Sequence, residues 1–329
     1  MKKHLIFTMA FFLLFCSVLQ ADETIRILTF NIRCSPGEIG KVNAWQNRRD
    51  LVVDIIRSGD YDFVGIQEAM LLPQPELNQV GDLKRLLPEY TLYTRPRGKS
   101  AEEGESTPIM YRKDRWEMDE EEHGVFWLSD NENEPGSNTW QGACPRTVDW
   151  GKFHELKDGK RTGRAVYFIN THFDHVNKEA CRKSAVRIAE MIKNRKDQSA
   201  PVFLTGDLNQ EENSPSIRYL LGNEMELKEG DKRQPPIALT DSYRCIHPDE
   251  KYVQTFHGFQ GNKTAEFKTA APKKASEVDR RSLKIDFILN TPDIKPVESE
   301  IIRNEATPQG VYPSDHYPVK ATFAFPSKM

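Results

Sequence analysis

Basic excess, cysteine and long apolar runs are all in short supply in this chain of 329 residues, and each shortage excludes something. Lysine and arginine number 46 against 49 acidic residues, a formal net charge of −3. A protein that grips nucleic acid in a salt-sensitive way usually carries a basic face. The overall balance announces none, although a local patch stays open. Of five cysteines, one sits in the N-terminal apolar stretch. The other four, Cys34, Cys144, Cys181 and Cys245, could pair in three ways in an oxidising compartment, but they are too few and too scattered to frame a fold. Beyond residue 19 no apolar run approaches the length of a bilayer span. Short-period repeats, low-complexity blocks and obvious linkers are missing as well.

What is present begins with "MKKHLIFTMAFFLLFCSVLQA", two lysines followed by an apolar run from Leu5 to Leu19. The run is too short and too early for a membrane span and reads as a cleaved secretory signal. Cleavage after Ala21 leaves residues 22–329 in the periplasm or outside the cell, and Phe15 before Cys16 argues against lipid anchoring. Losing Lys2 and Lys3 and no acid takes the net charge from −3 to −5. The remainder, about 308 residues, is ample for a large core.

Hydrophobic periodicity then shows strands punctuated by two clear helices. "TIRILTFNIR" reads as a strand, and "NRRDLVVDIIRSG" places Leu51, Val52, Ile55 and Ile56 at helical spacing, with Gly59 as its stop. "YDFVGIQEA" is strand again. The order repeats in "RAVYFINTHFDH", the helix "NKEACRKSAVRIAEMIKNRK", and "APVFLTGDLN". In both units the apolar strands end in polar residues: Asn31, Glu68, His172, and Asp207 with Asn209. Any one of these could be ordinary turn punctuation. Together they describe one site, because ligands gather beyond the carboxyl ends of strands in sheets with helical connections. "SLKIDFILN" adds Asp286 inside a strand pattern, where an unpartnered carboxylate would cost several kcal/mol if buried. "YPSDHYPV" adds Asp315 and His316, and Asp286 is the candidate partner that fixes the tautomer of His316.

The ordered series "TFNIR", "GIQEA", "GESTPIMYR", "NTHFDH", "TGDLN", "KIDFIL" and "SDHYPV" resembles the endonuclease/exonuclease/phosphatase superfamily over roughly residues 24 to 325. Strand and helix patterns alone do not separate its architecture from a doubly wound parallel sheet. The resemblance implies an α/β four-layer sandwich, two mainly antiparallel sheets packed face to face with helices outside, built from residues 22–329 as a single domain. It further implies a Mg2+ site, with Mn2+ as a substitute, in which Glu68 is the principal ligand and Asn31 and Asp315 stand beside it. Asp207 and Asn209 match the pair that positions the attacking water and the phosphoryl oxygens. His172 and His316 match the two site histidines, and Glu105 matches the acid that orients the first. The repair-nuclease branch carries a tyrosine where this chain has His172, which points away from that branch.

These residue types suit phosphate-ester hydrolysis, which needs an in-line nucleophile and a hard cation held by a few oxygen ligands. The expected function is an exported Mg2+-dependent phosphoesterase, a monomer acting on a phosphodiester, with Arg112 or Arg146 at the rim of its pocket. A secreted nuclease on polymeric DNA or RNA is the less favoured alternative, and a non-catalytic binding protein on the same fold is the alternative of another class. "HFDH" raises a zinc site, but His247 and His257 stand in no matching motif, and His175 reads as a structural or rim residue. Trp127, Trp140 and Trp150 are candidates for stacking on a base or sugar, against the commoner role of aromatic core. The acidic run Asp119 to Glu122 and the basic stretch Lys268 to Lys274 read as solvated loops.

Overall fold

A computed structural model describes residues 24–261 and 283–325. The expected signal segment 1–21 and the basic stretch Lys268 to Lys274 lie outside the described residues. Two six-stranded sheets dominate. The first runs, in spatial order, Lys295–Ile301, Val319–Ala324, Thr24–Asn31, Phe63–Gln67, Ile109–Arg112 and Tyr90–Tyr93. The second runs Thr240–Asp241, Asp286–Asn290, Val202–Asp207, Lys160–His172, Thr147–Lys157 and Trp116–Trp127. Each is antiparallel except at its centre, where a helix crossover joins two parallel strands: Trp45–Gly59 in the first sheet and Lys178–Lys193 in the second. The architecture is therefore the four-layer sandwich, and not the doubly wound sheet that periodicity left open.

Strand alternation assigns every central side chain to a layer. Leu28, Phe30, Val64 and Ile66 turn outward onto Val52, Val53 and Ile56 of one helix layer. Tyr167, Ile169, Val202 and Leu204 turn outward onto Cys181, Ala185 and Ile188 of the other. The opposite faces meet between the sheets, where Ile27, Phe63, Phe168 and Phe203 form an apolar floor. Two residues further along the same strands come Thr29, Gly65, Asn170 and Thr205, and two further again Asn31, Gln67, His172 and Asp207. The space between the sheets thus passes from apolar floor to buried polar tier to site.

The middle tier is tightly satisfied. Asn170 Nδ2 donates to the carbonyls of Ile66, Thr107 and Pro108, while its Oδ1 accepts from Gln67 Nε2 at 2.7 Å and Thr205 Oγ1 at 3.0 Å. Gly65 is required here, since a Cβ would stand 2.2 Å from Thr205 Oγ1. Gly59 also acts by absence: it is the last helical residue, and a Cβ would lie 2.1 Å from the Tyr61 ring. The left-handed stop expected there is made by Asp60, with φ 48°.

The acidic run corrects another expectation. Asp119 to Glu122 lies within strand Trp116–Trp127, at a bulge where pairing shifts between Met118 and His123. Its ends are held by His154 on Asp119 and by Tyr167 on Glu122, while Glu120 and Glu121 are exposed as expected. Trp127 is buried, with Nε1 donating to the Arg97 carbonyl, so its ring belongs to the core.

Candidate active site

The carboxyl ends of the two parallel pairs open on one edge of the sandwich, and nearly all the residues expected there are brought together. Three of the backbone positions, Arg33, Glu68 and Asn209, have positive φ values of 54°, 62° and 47°. For residues with a side chain this is a strained conformation that persists only where its surroundings fix it. Arg48 supplies part of that fixation. Its buried guanidinium donates to the carbonyls of Ile32, Arg33, Asn43 and Pro313, tying the loop after Asn31 to the loop that carries Asp315. Ser314 Oγ closes the same seam by donating to the Asn31 carbonyl at 2.6 Å.

Glu68 is surrounded by donors. Oε1 accepts from Asn31 Nδ2 at 3.0 Å and Oε2 from the Cys34 N–H at 3.0 Å. Burial works against its charge, yet these bonds, with His316 and Arg33 nearby, outweigh it and hold the carboxyl below its ordinary value. Arg33 lies 3.7 Å from both Glu68 and Asp315 and is anchored on Glu38 at 3.0 Å. Asn31 turns its nitrogen to the carboxylates, reaching Asp207 Oδ2 at 2.9 Å as well, while its oxygen accepts from the Arg33 N–H.

The other wall is built on imidazoles. His316 Nδ1 bonds Asp286 Oδ2 at 2.9 Å, as the sequence pairing requires, and its Nε2 stands 3.7 Å from Asp207 Oδ2. Burial alone would lower His316, but the charges of Asp286 and Asp207 overcome it and push its pKa up to about 10. Asp207 is pushed up to about 7 by burial and by the neighbouring charge of Asp286. His316 and Asp207 therefore share protons in one buried network that Asp286 anchors through its bond to Nδ1. His172 is driven well below its usual value by burial and by the charges of Arg146 and Arg97, so it is neutral. Its Nε2 accepts from Asn209 Nδ2 at 2.9 Å, and the second hydrogen of that amide reaches the Phe173 carbonyl.

Glu105 is near but not bonded to the histidine expected to depend on it. Oε1 stands 4.0 Å from His172 Nδ1, too far for a hydrogen bond, and pairs instead with Arg97 at 2.6 Å. Arg112 is at the wrong end of the molecule. Its strand runs antiparallel to Phe63–Gln67, which carries Arg112 to the opposite edge, where it pairs with Asp60 and Asp114. Arg146 does reach the site, close enough for its charge to act on His172. Arg33, Arg48 and Arg97 were missed: each stands near a recognised motif, but nothing in the spacing marks it.

Two groups can each gather metal-ligating atoms within 4.8 Å among the described residues: Glu68, His172 and Asp207, and Asp207, Asp286 and His316. Neither contains His175, His247 or His257. The donor set fits a hard divalent cation: carboxylates of Glu68, Asp207, Asp286 and Asp315 crowd a buried space, and Asp315 is itself raised by burial despite His316. Asn209 also lies in the wall of an adjoining groove of about 900 Å³, which includes Lys178, Gln254, Phe256 and His257.

Two mixed sheets packed face to face, with carboxylates and imidazoles converging on one edge, define an α/β sandwich of the phosphoesterase type. The chain belongs to the Endonuclease/Exonuclease/phosphatase family, whose model matches residues 28–316. It is similar to an endonuclease/exonuclease/phosphatase of Bacteroides vulgatus, at 30% identity over 92% of this chain and 100% of that one, with a TM-score of 0.71. A mannosyl-6-phosphatase of Bacteroides thetaiotaomicron is similar at 26% identity over 92% and 100% of the two chains, with a TM-score of 0.69. The catalytic domain of human Nocturnin, at 14% identity over 92% and 95% and a TM-score of 0.64, shares the fold. Family members are typically hydrolases acting on phosphate esters, and they include phosphatases, nucleases and phosphodiesterases.

Proposed function

We propose that this chain is an exported, Mg2+-dependent phosphoesterase that hydrolyses a small phosphate ester by in-line attack of water. The observation that carries the reading is the chain Asp286–His316–Asp207, set at the same edge as Glu68 and Asn209. In this reading Glu68 and Asp315, with Asn31 after its amide turns, hold the cation. Bound there, it neutralises charge developing on the phosphoryl oxygens and the leaving group. The Asp207–His316–Asp286 chain orients the water and receives its proton. Asn209 exchanges its internal bonds for a phosphoryl oxygen, and neutral His172 holds Asn209 in place until it does.

Similarity to a mannosyl-6-phosphatase supports a small substrate. Residues 1–21 are assigned as the export signal on their composition, two lysines followed by an apolar run from Leu5 to Leu19. A mature protein beginning at Asp22, recovered from the periplasm or medium and weighed by mass spectrometry, is the expected result.

The direct test is a panel of p-nitrophenyl phosphate, bis-p-nitrophenyl phosphate, sugar phosphates, sphingomyelin, DNA and RNA, each with Mg2+ and with EDTA. Mg2+-dependent turnover of a small ester is expected; full activity in EDTA, or tightly bound zinc in the purified protein, would sink the mechanism. Salt separates the nuclease. Between about 50 and 200 mM NaCl a small ester should lose less than about tenfold in kcat/KM, against the order of 10³ for a protein gripping many phosphates.

A further inference from the structure

Arg146 is 6% exposed, yet two of its guanidinium nitrogens, Nε and Nη1, have no hydrogen-bond partner. Burying a charge in this way costs several kcal/mol unless something pairs with it. The groups around it do so only in part, through Nη2 and through one carboxylate at the limit of ion-pair distance. Nη2 meets His175 Nδ1 at 3.1 Å. The nearest carboxylate, Asp174, stands 4.0 Å from Nε and is already engaged by the N–H groups of Ala143 at 2.7 Å, Val176 at 2.9 Å and Asn177 at 2.7 Å. Glu105 is held by Arg97 at 2.6 Å. Backbone pairing places Arg146 just before the strand that flanks His172, with Val148 opposite Thr171. A desolvated guanidinium with free N–H groups is thus presented beside a phosphoryl site.

Counting oxygens gives this a chemical meaning. A phosphodiester has two non-bridging oxygens sharing one negative charge. A cation at Glu68 and the Asn209 amide would be enough to receive both. A phosphomonoester has a third non-bridging oxygen and close to two negative charges, and the third oxygen needs another donor. Arginine suits it, because its fixed fork offers parallel N–H groups to phosphate. The groove beside Asn209 sets the hydrogen-bonding side chains of Lys178, Gln254 and Gln260 among Phe256, Leu283 and Ile285, a mixed lining that can receive a hydroxyl-bearing alcohol.

We infer that the substrate is a phosphomonoester of a small polar alcohol and that Arg146 holds the third non-bridging oxygen, the one a diester lacks. This rests on the phosphoesterase reading above. Water oxygen bonds to phosphorus as the ester P–O bond breaks. The water's proton passes to the Asp207–His316 pair, which gives one to the departing alkoxide, and the products are the alcohol and inorganic phosphate.

The experiment compares p-nitrophenyl phosphate with bis-p-nitrophenyl phosphate in wild type, Arg146→Gln and Arg146→Lys, and titrates each protein calorimetrically with inorganic phosphate. In Arg146→Gln the monoester-to-diester ratio of kcat/KM should fall about 10²-fold, the scale of one preorganised donor, with partial rescue in Arg146→Lys. Phosphate affinity should weaken about tenfold or more, as for a lost hydrogen bond to a charged group. Equal losses on both esters, or unchanged phosphate binding, would overturn the inference. If circular dichroism shows Arg146→Gln unfolded, Arg146→Lys carries the same test, with a lowered ratio expected and an unaltered one overturning it. Wild type that hydrolyses neither ester would sink the phosphoesterase reading instead, and the phosphate titration would still decide the role of Arg146.

Discussion

Strands Thr24–Asn31 and Phe63–Gln67 lie parallel with Asn31 beside Gln67, and strands Lys160–His172 and Val202–Asp207 lie parallel with His172 beside Asp207. The two halves reach the same edge by the same strand, helix, strand device, but their tips differ. In the first half Gln67 turns into the interior, to Thr29 and Asn170, so the carboxylate comes one residue later, on the left-handed Glu68. In the second half Asp207 itself enters the site, and the Asn209 N–H folds back onto it at 2.9 Å. Glu68 is ringed by donors and held below its usual value, whereas Asp207 faces Asp286 and is held up at about 7. One backbone device therefore presents a fixed anion in one half and a protonatable group in the other, and the difference lies in what surrounds each tip.

Removing the proton-holding chain should break the second half most. His316→Ala is expected to lower kcat by roughly 10² to 10⁴, the range of a general acid or base, with the melting temperature little changed. Asp286→Asn acts through the same imidazole, so the double variant should fall far short of the product of the single losses. Independent, multiplicative losses would show that Asp286 is not the buttress. In the first half, Glu68→Gln keeps shape and removes one charge. Mg2+ affinity, read by calorimetry without substrate, should drop by at least about 10²-fold, since even outer partners of ligands are worth 10- to 100-fold. Unchanged affinity would move the cation to the Asp207 side.

How far the sequence carried this site follows from which facts are local. Period-two alternation is local, so it put Asn31, His172 and Asp207 at strand tips, and a carboxylate inside "KIDFIL" required the partner that His316 provides at 2.9 Å. Sheet direction is not local. Nothing in "IMYR" says that it runs against "FVGIQ", which is why Arg112 was expected at the rim and lies at the far edge. Arg33 and Arg48 sit among ordinary helix and loop residues; their roles exist only once the loops near residues 33 and 313 meet. The opposite holds for Arg146, which is singled out by two buried nitrogens without a hydrogen-bond partner, a property of the folded interior alone.

The polar tier below the site is shared by the halves but carried by the second, through Asn170. Asn170→Ala removes the side-chain donor to the carbonyls of Ile66, Thr107 and Pro108 and the acceptor that receives Gln67 Nε2 at 2.7 Å and Thr205 Oγ1 at 3.0 Å. Destabilisation of about 3 kcal/mol is expected in urea denaturation, the upper range for unsatisfied buried groups. The equivalent change in the first half, Thr29→Ala, loses only the bond from Gln67 at 3.1 Å, which has other partners, and should cost about 1 kcal/mol. Equal losses would mean that the tier is not polarised between the halves.

The smallest expected effect comes from the strands that flank the two tips. In the first sheet Thr29 is paired with Val319, and in the second Asn170 is paired with Asp149. Where one half places a valine, the other buries a carboxyl completely, with Oδ2 accepting from Thr94 at 2.9 Å and Oδ1 without a partner. Burial raises the Asp149 pKa well above its ordinary value, so the folded protein keeps this proton while the unfolded chain releases it. Stability from this position is then fully present below the unfolded pKa and is lost as pH rises toward the folded one. Asp149→Asn keeps a neutral side chain of the same shape and removes the titration. Its stability should exceed that of wild type by about 1 kcal/mol or more at pH 8, at least one pK unit of linkage, and the gap should close by about pH 4. A gap that persists at the acid end would trace the gain to packing, and a variant less stable at pH 8 would show that the carboxylate is charged and paired in the fold.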